Sequence, residues 1–325
     1  MKLKKIKRMV AVGTAILMTL SLAGCGIGSD SVKLGAAGVG GGYYAFSNAF
    51  AQIASSEDED LDFEVKATAG STANIRLLSD GYVDMAIAQA DLVDAAYNGT
   101  GATDKKRYRG YSAVASLYTE ACQIVVRADS GIDSLDDLQG KKISVGEEES
   151  GTQRNAEQIL KMTGLVESLV DTVNLDYVDA ANELKSGQIV AFFCTAGIQT
   201  SVIEELSKEC DVKLIGIDDK CRDRLKSVYG FYTDYTIPAG TYEGQTQDVV
   251  TLGVRAVLLA RDDMDEKIVE ELTGLLFEHA QDIQYSIALT FQIDESEAVK
   301  NVTIPFHDGA KAYYQKKGIE IPAEQ

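Results

Sequence analysis

The feature that most constrains this chain is a glycine-rich turn between a short strand and an amphipathic helix, within LGAAGVGGGYYAFSNAFAQI at residues 34–53. Val32 and Leu34 predict a strand, and five glycines then occur within eight positions. Apolar residues at helical spacing follow, from Phe46 to Ile53. Glycine allows a positive φ, and the first N–H groups of a helix lack internal partners. The turn therefore predicts a loop that binds an anionic or carbonyl group; a plain flexible connection is the alternative.

The candidate ligand contacts in this loop are Gly40, Gly41, Gly42, Tyr43 and Tyr44. The glycines would offer backbone N–H groups, and the tyrosines would form walls or donate hydrogen bonds. A P-loop would end in Gly-Lys-Ser/Thr, whereas this chain reads Gly42-Tyr43-Tyr44. A GxGxxG fingerprint starting at Gly38 would need a glycine where Tyr43 stands. Both nucleotide-binding motifs therefore fail on sequence.

Residues 1–24 resemble a bacterial lipoprotein signal peptide. A basic segment from Lys2 to Arg8 precedes a short apolar run from Met9 to Leu20, and small residues lead into Cys25. We expect Cys25 to be the lipidated first residue of the mature chain, with residues 25–30 as a tether. An ordinary signal peptide or an uncleaved anchor are the alternatives, although the apolar run is short for a membrane span. The predicted localisation is extracytoplasmic, lipid-anchored to the cell membrane.

The charge of the chain excludes some partners. The formal net charge is −19, and removing residues 1–24, which hold five basic and no acidic residues, makes it −24. So acidic a protein is not expected to bind nucleic acid or to dock on anionic lipid. The mature length of about 300 residues suits two domains rather than one. We expect a monomer.

Beyond the glycine turn, short apolar strands alternate with helical patterns, which predicts an α/β fold with largely parallel sheets. Three predicted strands lead into polar turns that begin helices, at residues 70–74, 89–91 and 150–153. Each turn taken alone favours a plain helix cap. Because ligands bind at the carboxyl ends of strands in open α/β sheets, the recurrence of these turns beside the glycine turn favours a ligand site. The candidate ligand-binding residues in these turns and after a later strand are Ser71, Asn74, Gln89, Asp91, Ser150, Gly151, Thr152, Thr195 and Gly197. Asp91 and Glu120 are candidates to hold an ammonium group.

Five blocks of sequence, in order, resemble the TAXI-type solute receptors of TRAP transporters. They are GVGGGYYAFSNAFAQI, AGSTANIRLLSDGYVDMAIAQADLVDAAYNG, SLYTEACQIVVRADSGIDSLDDLQGKKISVG, SGTQRNAEQIL and IPFHDGAKAYYQKKG. The resemblance implies a type II periplasmic-binding-protein-like fold with a central cleft between two α/β lobes. Lobe 1 would comprise 31–125 and 258–325, and lobe 2 would comprise 126–257. The strands ACQIVVRA and VTLGVRAVLLA would be the hinges between the lobes.

The same resemblance implies a function. The receptor would capture glutamate, glutamine, 2-oxoglutarate or a similar small acid and deliver it to an integral membrane permease. Two departures from the family pattern leave the ligand open: the acidic triplet Glu147-Glu148-Glu149, and Val190 where an aspartate is usual. The triplet would form either a solvated loop or part of the cleft, and in the cleft it would disfavour a dianion. A lipoprotein that feeds a membrane sensor is an alternative function.

The sequence gives little sign of catalysis, a cofactor or a metal. Neither HExxH, CxxC nor a Gly-x-Ser-x-Gly elbow occurs, and the chain has only two histidines. We expect His307 to cap the last helix. A hydrolase or transferase remains the rival class, which detectable turnover would favour. Export permits disulfides, and a short exposed loop predicts one between Cys210 and Cys221.

Overall fold

Two long strands run through the middle of one mixed sheet in the computed structural model, which describes residues 31–101, 105–166, 168–287 and 293–322. The ten strands described are β1 (Val32–Gly35), β2 (Phe63–Lys66), β3 (Met85–Gln89), β4 (Tyr111–Arg127), β5 (Lys142–Ser144), β6 (Asp171–Val173), β7 (Ala191–Ala196), β8 (Val212–Leu214), β9 (Thr233–Ile237) and β10 (Val249–Arg261). The signal peptide, Cys25 and the tether, expected at residues 1–30, lie outside the described residues.

Helices flank both faces of this sheet. The helices described are α1 (Gly42–Glu57), α2 (Ser71–Ser79), α3 (Ala90–Asn98), α4 (Gly151–Thr163), α5 (Tyr177–Ser186), α6 (Ser201–Glu209), α7 (Asp219–Tyr229), α8 (Glu266–Glu278), α9 (Ala280–Ser286) and α10 (Asp308–Lys317). His307 caps α10, since its Nδ1 accepts a hydrogen bond from the Gly309 N–H at 3.1 Å, as expected. Within the described ranges, every helix is too short or too polar to span a bilayer.

The strand order is β2-β1-β3-β10-β4-β7-β5-β6, with β8 paired to β4 and β9 paired to β10. β1 pairs parallel with β2 and β3, and β5 pairs parallel with β6 and β7. β10 runs antiparallel to β3, β4 and β9, and β4 runs antiparallel to β7 and β8. The sheet is therefore mixed rather than largely parallel, because the two long central strands run against their neighbours.

The buried apolar side chains divide into two regions along this sheet. We call residues 32–118 and 256–322 the first half; its core contains Phe46, Phe50, Tyr111 and Tyr314. We call residues 121–254 the second half; apolar clusters cover both faces of its strands. Strands covered on both faces bury every side chain, as all five residues of β3 do, and so read as continuous apolar runs.

The expected elements are present, but several boundaries differ. β4 begins at Tyr111 rather than Ala121, so this strand passes from one half to the other instead of starting between them. Residues 266–286 form two helices, α8 and α9, which meet at His279.

The predicted disulfide is wrong: Cys122, Cys194, Cys210 and Cys221 are all free thiols. Cys221 is buried in the cluster on one face of the second half, whereas Cys210 packs against the cluster on the other face. The short separation of Cys210 and Cys221 along the sequence did not predict this arrangement. The strand between the two cysteines leads the chain from one face of the sheet to the other.

Candidate functional site

A cavity lies where the two halves meet, at the carboxyl ends of β1, β3 and β7. Its volume is about 40 Å³. The lining residues are Ala37, Gly38, Gly41, Gly42, Tyr43, Ala69, Gly70, Ser71, Gln89, Glu120, Glu147, Ser150, Gly151, Thr152, Asp176, Tyr177 and Thr195. The first half supplies those up to Gln89 and the second half those from Glu147, with Glu120 on the crossing strand β4. This volume limits the ligand to a small solute.

The glycine turn forms one wall of the cavity. Gly40 has φ +85°, which a residue with a side chain rarely adopts, and a Cβ at Gly41 would lie 3.2 Å from the Tyr177 ring. Helix α1 starts at Gly42 with no side-chain cap. The N–H groups of its first turn therefore lack an intrahelical partner, and the helix dipole adds partial positive charge at this end.

Three buried residues that line the cavity form what we call the floor: Tyr43, Gln89 and Glu120. The Tyr43 hydroxyl donates to Glu120 Oε2 at 2.6 Å, which joins α1 to the crossing strand. Burial raises the pKa of Glu120 to about 8; the hydrogen bonds from Tyr43 and Gln89 oppose this shift, and the nearby Asp91 carboxylate adds to it. This carboxyl therefore titrates near neutral pH.

Gln89 links the floor to the second half. Its Nε2 donates to Asn155 Oδ1 at 3.0 Å, and Asn155 in turn donates to the Tyr232 hydroxyl at 2.8 Å. Its backbone N–H donates to Ser71 Oγ at 3.1 Å. The Gln89 Oε1, by contrast, is buried without a hydrogen-bond partner. A Cβ at Gly151 would lie 2.6 Å from the Gln89 side-chain amide, so only glycine lets the two elements approach this closely.

Thr152, Thr195 and Tyr177 close the far wall. Thr152 Oγ1 lies 2.6 Å from the Tyr177 hydroxyl and accepts the Thr195 N–H at 3.1 Å. The Tyr177 hydroxyl donates to the Thr195 carbonyl O at 3.1 Å. These bonds tie the start of α4, the start of α5 and the end of β7 to one another.

The more exposed side of the cavity is acidic, and we call Glu147 and Asp176 its rim. Partial burial raises the pKa of Glu147, and the Asp176 carboxylate raises it further. Asp176 caps α5 by accepting the Asp179 N–H at 2.8 Å. No lysine or arginine is among the lining residues of the described chain. The cavity thus has three carboxyl groups and no opposing cation.

The acidic triplet lies partly in the cavity and partly in solvent, so both of the expected arrangements occur. Glu147 lines the cavity, whereas Glu148 is exposed. Glu149, which has φ +63°, bridges the halves: its carboxylate pairs with Arg76 at 2.6 Å, and its carbonyl accepts the N–H groups of Thr72 and Ala73. The backbone of this triplet therefore caps α2 from the opposite half.

The structure brings most of the predicted residues together at the cavity. Those that line it are Gly41, Gly42, Tyr43, Ser71, Gln89, Ser150, Gly151, Thr152 and Thr195. Those that do not are Gly40, Tyr44, Asn74, Asp91 and Gly197. Asn74 instead braces the first half, because its Nδ2 donates to the carbonyls of Ala36 at 2.5 Å and Ile87 at 2.8 Å. Asp91 is buried nearby with Oδ1 unpaired, and burial raises its pKa to about 6.

Sequence reasoning missed Asp176 and Tyr177 entirely. Asp176 stands three residues before Asp179 at the start of α5, which is ordinary spacing for a helix cap. Because the chain has many helix caps, this one gave no indication that it would contact a ligand. The tertiary contacts of Tyr177 with the glycine turn, Thr152 and Thr195 bring α5 to the cavity.

Residues 34–318 match the NMT1-like family. The fold is similar to that of a protein from Bordetella bronchiseptica RB50 (TM-score 0.58, 16% identity, covering 89% of this chain and 98% of that chain). It is also similar to MatC from Rhodopseudomonas palustris with bound malate (TM-score 0.57, 14% identity, 82% and 91% covered). A third similar structure is described as an L-cystine ABC transporter from Listeria monocytogenes (TM-score 0.50, 14% identity, 79% and 93% covered). The mixed α/β fold expected from the sequence, of the type II periplasmic binding protein class, is confirmed.

Proposed function

Because the chain belongs to the NMT1-like family and folds as a type II periplasmic binding protein, we propose that it is an extracytoplasmic solute-binding receptor of a membrane transporter. The single observation that carries this proposal is a cavity for a small solute whose wall comes from both halves. A ligand held between two halves binds most tightly when they are closed, which gives a permease a loaded shape to recognise. We do not expect turnover of the ligand.

We propose that the two halves are lobes that move on the crossing strands. The lobes would be residues 31–125 with 258–325, and residues 126–257. The separate cores support this division, as does the passage of β4 and β10 between them. Small-angle scattering should give a smaller radius of gyration with saturating ligand than without it; an unchanged radius would contradict lobe closure.

The transporter type and the anchor are finer parts of the proposal. The five blocks that resemble TAXI receptors support a TRAP-type permease as partner, with the lipid on Cys25 holding the receptor at the membrane. The similarity to the protein described as an L-cystine ABC transporter favours an ABC permease as the second candidate. Genes beside this one decide the matter: a large integral membrane permease indicates TRAP, an ATPase gene indicates ABC, and a sensor kinase alone indicates signalling.

The proposed ligand is a small amino acid or organic acid, in the class of glutamate, glutamine and 2-oxoglutarate. The free N–H groups at the start of α1 can receive a carboxylate. A thermal-shift panel of amino acids, dicarboxylates and oxo acids tests this class. A ligand at about 100 times its Kd should stabilise the fold by about 2.7 kcal/mol. Thr152→Ala should bind less tightly than the parent, and stabilisation by sugars alone would contradict the ligand class.

A further inference from the structure

The charge of the cavity narrows the class of ligand. Glu120, Glu147 and Asp176 line it, and the described lining residues include no cation. Arg76 and Arg154, on helices that begin beside the cavity, are paired with Glu149 and Glu157. An acidic solute would therefore meet carboxylates without a compensating positive side chain, which is unfavourable in a partly desolvated site.

A second, independent observation shows what kind of group the floor is built to receive. Gln89 lines the cavity and is 2% exposed; its Nε2 donates to Asn155, and its Oε1 is a buried acceptor without a donor. A buried acceptor without a donor is unfavourable. A bound ligand that brings an N–H or O–H donor to this point would satisfy it.

Glu120 completes the acceptor site. It is also 2% exposed, and its Oε2 accepts a hydrogen bond from the Tyr43 hydroxyl at 2.6 Å. Gln89 interacts with the same carboxyl. Two acceptor groups from different strands, held in place by Asn155 and Tyr43, suit the several N–H bonds of an ammonium group.

The remaining donors in the wall suit a carboxylate. The first N–H groups of α2 are already used, because Thr72 and Ala73 donate to the Glu149 carbonyl. Those of α1 have no side-chain cap. A zwitterion can therefore place its ammonium on the floor and its carboxylate against the start of α1, and a second positive charge would be attracted to Glu147 and Asp176 at the rim.

We propose that the cavity selects an amino acid of zero or positive net charge, whose ammonium group binds Glu120 and Gln89, and that it discriminates against glutamate and 2-oxoglutarate. This inference rests on the proposed receptor function. It identifies Glu120 as the residue that determines ligand charge and assigns the rim carboxyls the preference for a cationic side chain.

Isothermal titration of the mature protein at pH 7.5 with L-lysine, L-glutamine, L-glutamate, 2-oxoglutarate and 1,4-diaminobutane tests the proposal. We expect lysine to bind most tightly, glutamine next, and both acids at least 10-fold more weakly than glutamine. Glu120→Gln should weaken lysine binding at least about 30-fold, since it removes the charge partner of a buried ammonium. Glu148→Gln, the same change at an exposed neighbour of the rim, should leave all affinities within about twofold.

Each of the other outcomes would refute a specific part of the proposal. Tighter binding of glutamate or 2-oxoglutarate than of glutamine would refute the charge inference while leaving the receptor function intact. Binding of none of the five compounds would also refute the inference, and the wider thermal-shift panel would then decide the receptor function separately. Tightest binding of 1,4-diaminobutane would retain the ammonium on Glu120 but refute an amino acid as the ligand.

Discussion

The floor and the rim of the cavity contain the same functional group in two different environments. Glu120 on the floor is buried on a central strand, and its pKa rises to about 8. Asp176 on the rim is exposed, caps a helix and lies in the field of Glu147. Desolvation makes the first carboxyl costly to ionise without a partner, whereas water stabilises the second. Burial rather than residue type therefore decides which carboxyl gives the site its selectivity.

The largest expected effect concerns the buried polar contacts that support the floor. Asn74→Ala removes the side-chain donor to the Ile87 carbonyl and one of two donors to the Ala36 carbonyl, which also accepts Thr68 Oγ1 at 3.2 Å. We expect the free energy of unfolding to fall by about 1.5–4.5 kcal/mol, from about 1–3 kcal/mol at Ile87 and about 0.5–1.5 kcal/mol for the second lost hydrogen bond. Urea denaturation measures it. Thr72→Ala, an exposed change in the same helix, should stay within about 0.5 kcal/mol.

A loss below about 1 kcal/mol for Asn74→Ala, measured against Thr72→Ala, would mean that water replaces the missing donors. Water would then reach the buried polar groups around Asn74 more readily than their burial indicates.

The next effect tests how closely the floor meets the second half. Gly151→Ala would place a Cβ 2.6 Å from the Gln89 amide and so force either that side chain or α4 to move. Overpacking of this kind costs about 1–3 kcal/mol, so ligand affinity should fall about 5- to 150-fold. Titration calorimetry with the best ligand of the panel measures it.

Gly274→Ala is the matched control. Residue 274 is far from the cavity residues along the sequence, and its Cβ would make an ordinary 3.4 Å contact with Tyr313 in the core of the first half. It should bind as the parent does. Unchanged affinity in Gly151→Ala would show that the halves do not close on Gln89.

The third prediction uses the pH dependence of the floor. The titratable groups near Glu120 are Tyr43, Tyr118, Tyr177, Asp91, Cys122 and Cys194. Of these, Asp91, with a pKa of about 6, titrates below Glu120, and burial keeps the tyrosines and thiols protonated at neutral pH. An ammonium ligand needs ionised Glu120, so below pH 8 binding must first release its proton.

The apparent Kd for lysine or glutamine should therefore fall about tenfold per pH unit from pH 6 to pH 7 and level off above pH 8. Calorimetry in buffers of different ionisation enthalpy should show proton release at pH 7. The Glu120→Gln variant should lack this slope. Affinity that instead falls with rising pH would mean that protonated Glu120 donates to a ligand carboxylate.

The smallest expected effect on ligand affinity is that of a substitution at an exposed ion pair. Glu149→Gln removes the carboxylate that pairs with Arg76, both of which are about 40% exposed, and leaves the capping carbonyl of residue 149 in place. Exposed ion pairs contribute about 0–1 kcal/mol, so ligand affinity should change less than about fivefold. If Glu149→Gln lowered ligand affinity as much as Gly151→Ala does, the ion pair of Glu149 with Arg76, and not the floor, would be the main contact between the halves.

Much of the candidate site could be predicted locally. The glycine turn, Ser71, Gln89 and the Ser150–Thr152 turn all stand where a strand gives way to a helix, and the structure brings them to one cavity. The errors have a common origin. Asn74 and Gly40 stand in the right turns but face other partners, and the thiols of Cys210 and Cys221 pack on opposite faces of the sheet.

The sequence by itself determined the alternation of strands and helices, the helix starts and the glycine turn, because these follow from backbone preferences and apolar spacing within a few residues. Only the tertiary structure decided that Glu120 lies beside Tyr43 and Gln89, and that Tyr177 closes the wall opposite the glycines. Those residues are separated along the chain and are brought together by β4 passing between the halves. The same packing removes water from Glu120, and desolvation, which no local pattern encodes, sets its pKa and the charge that the site can accept.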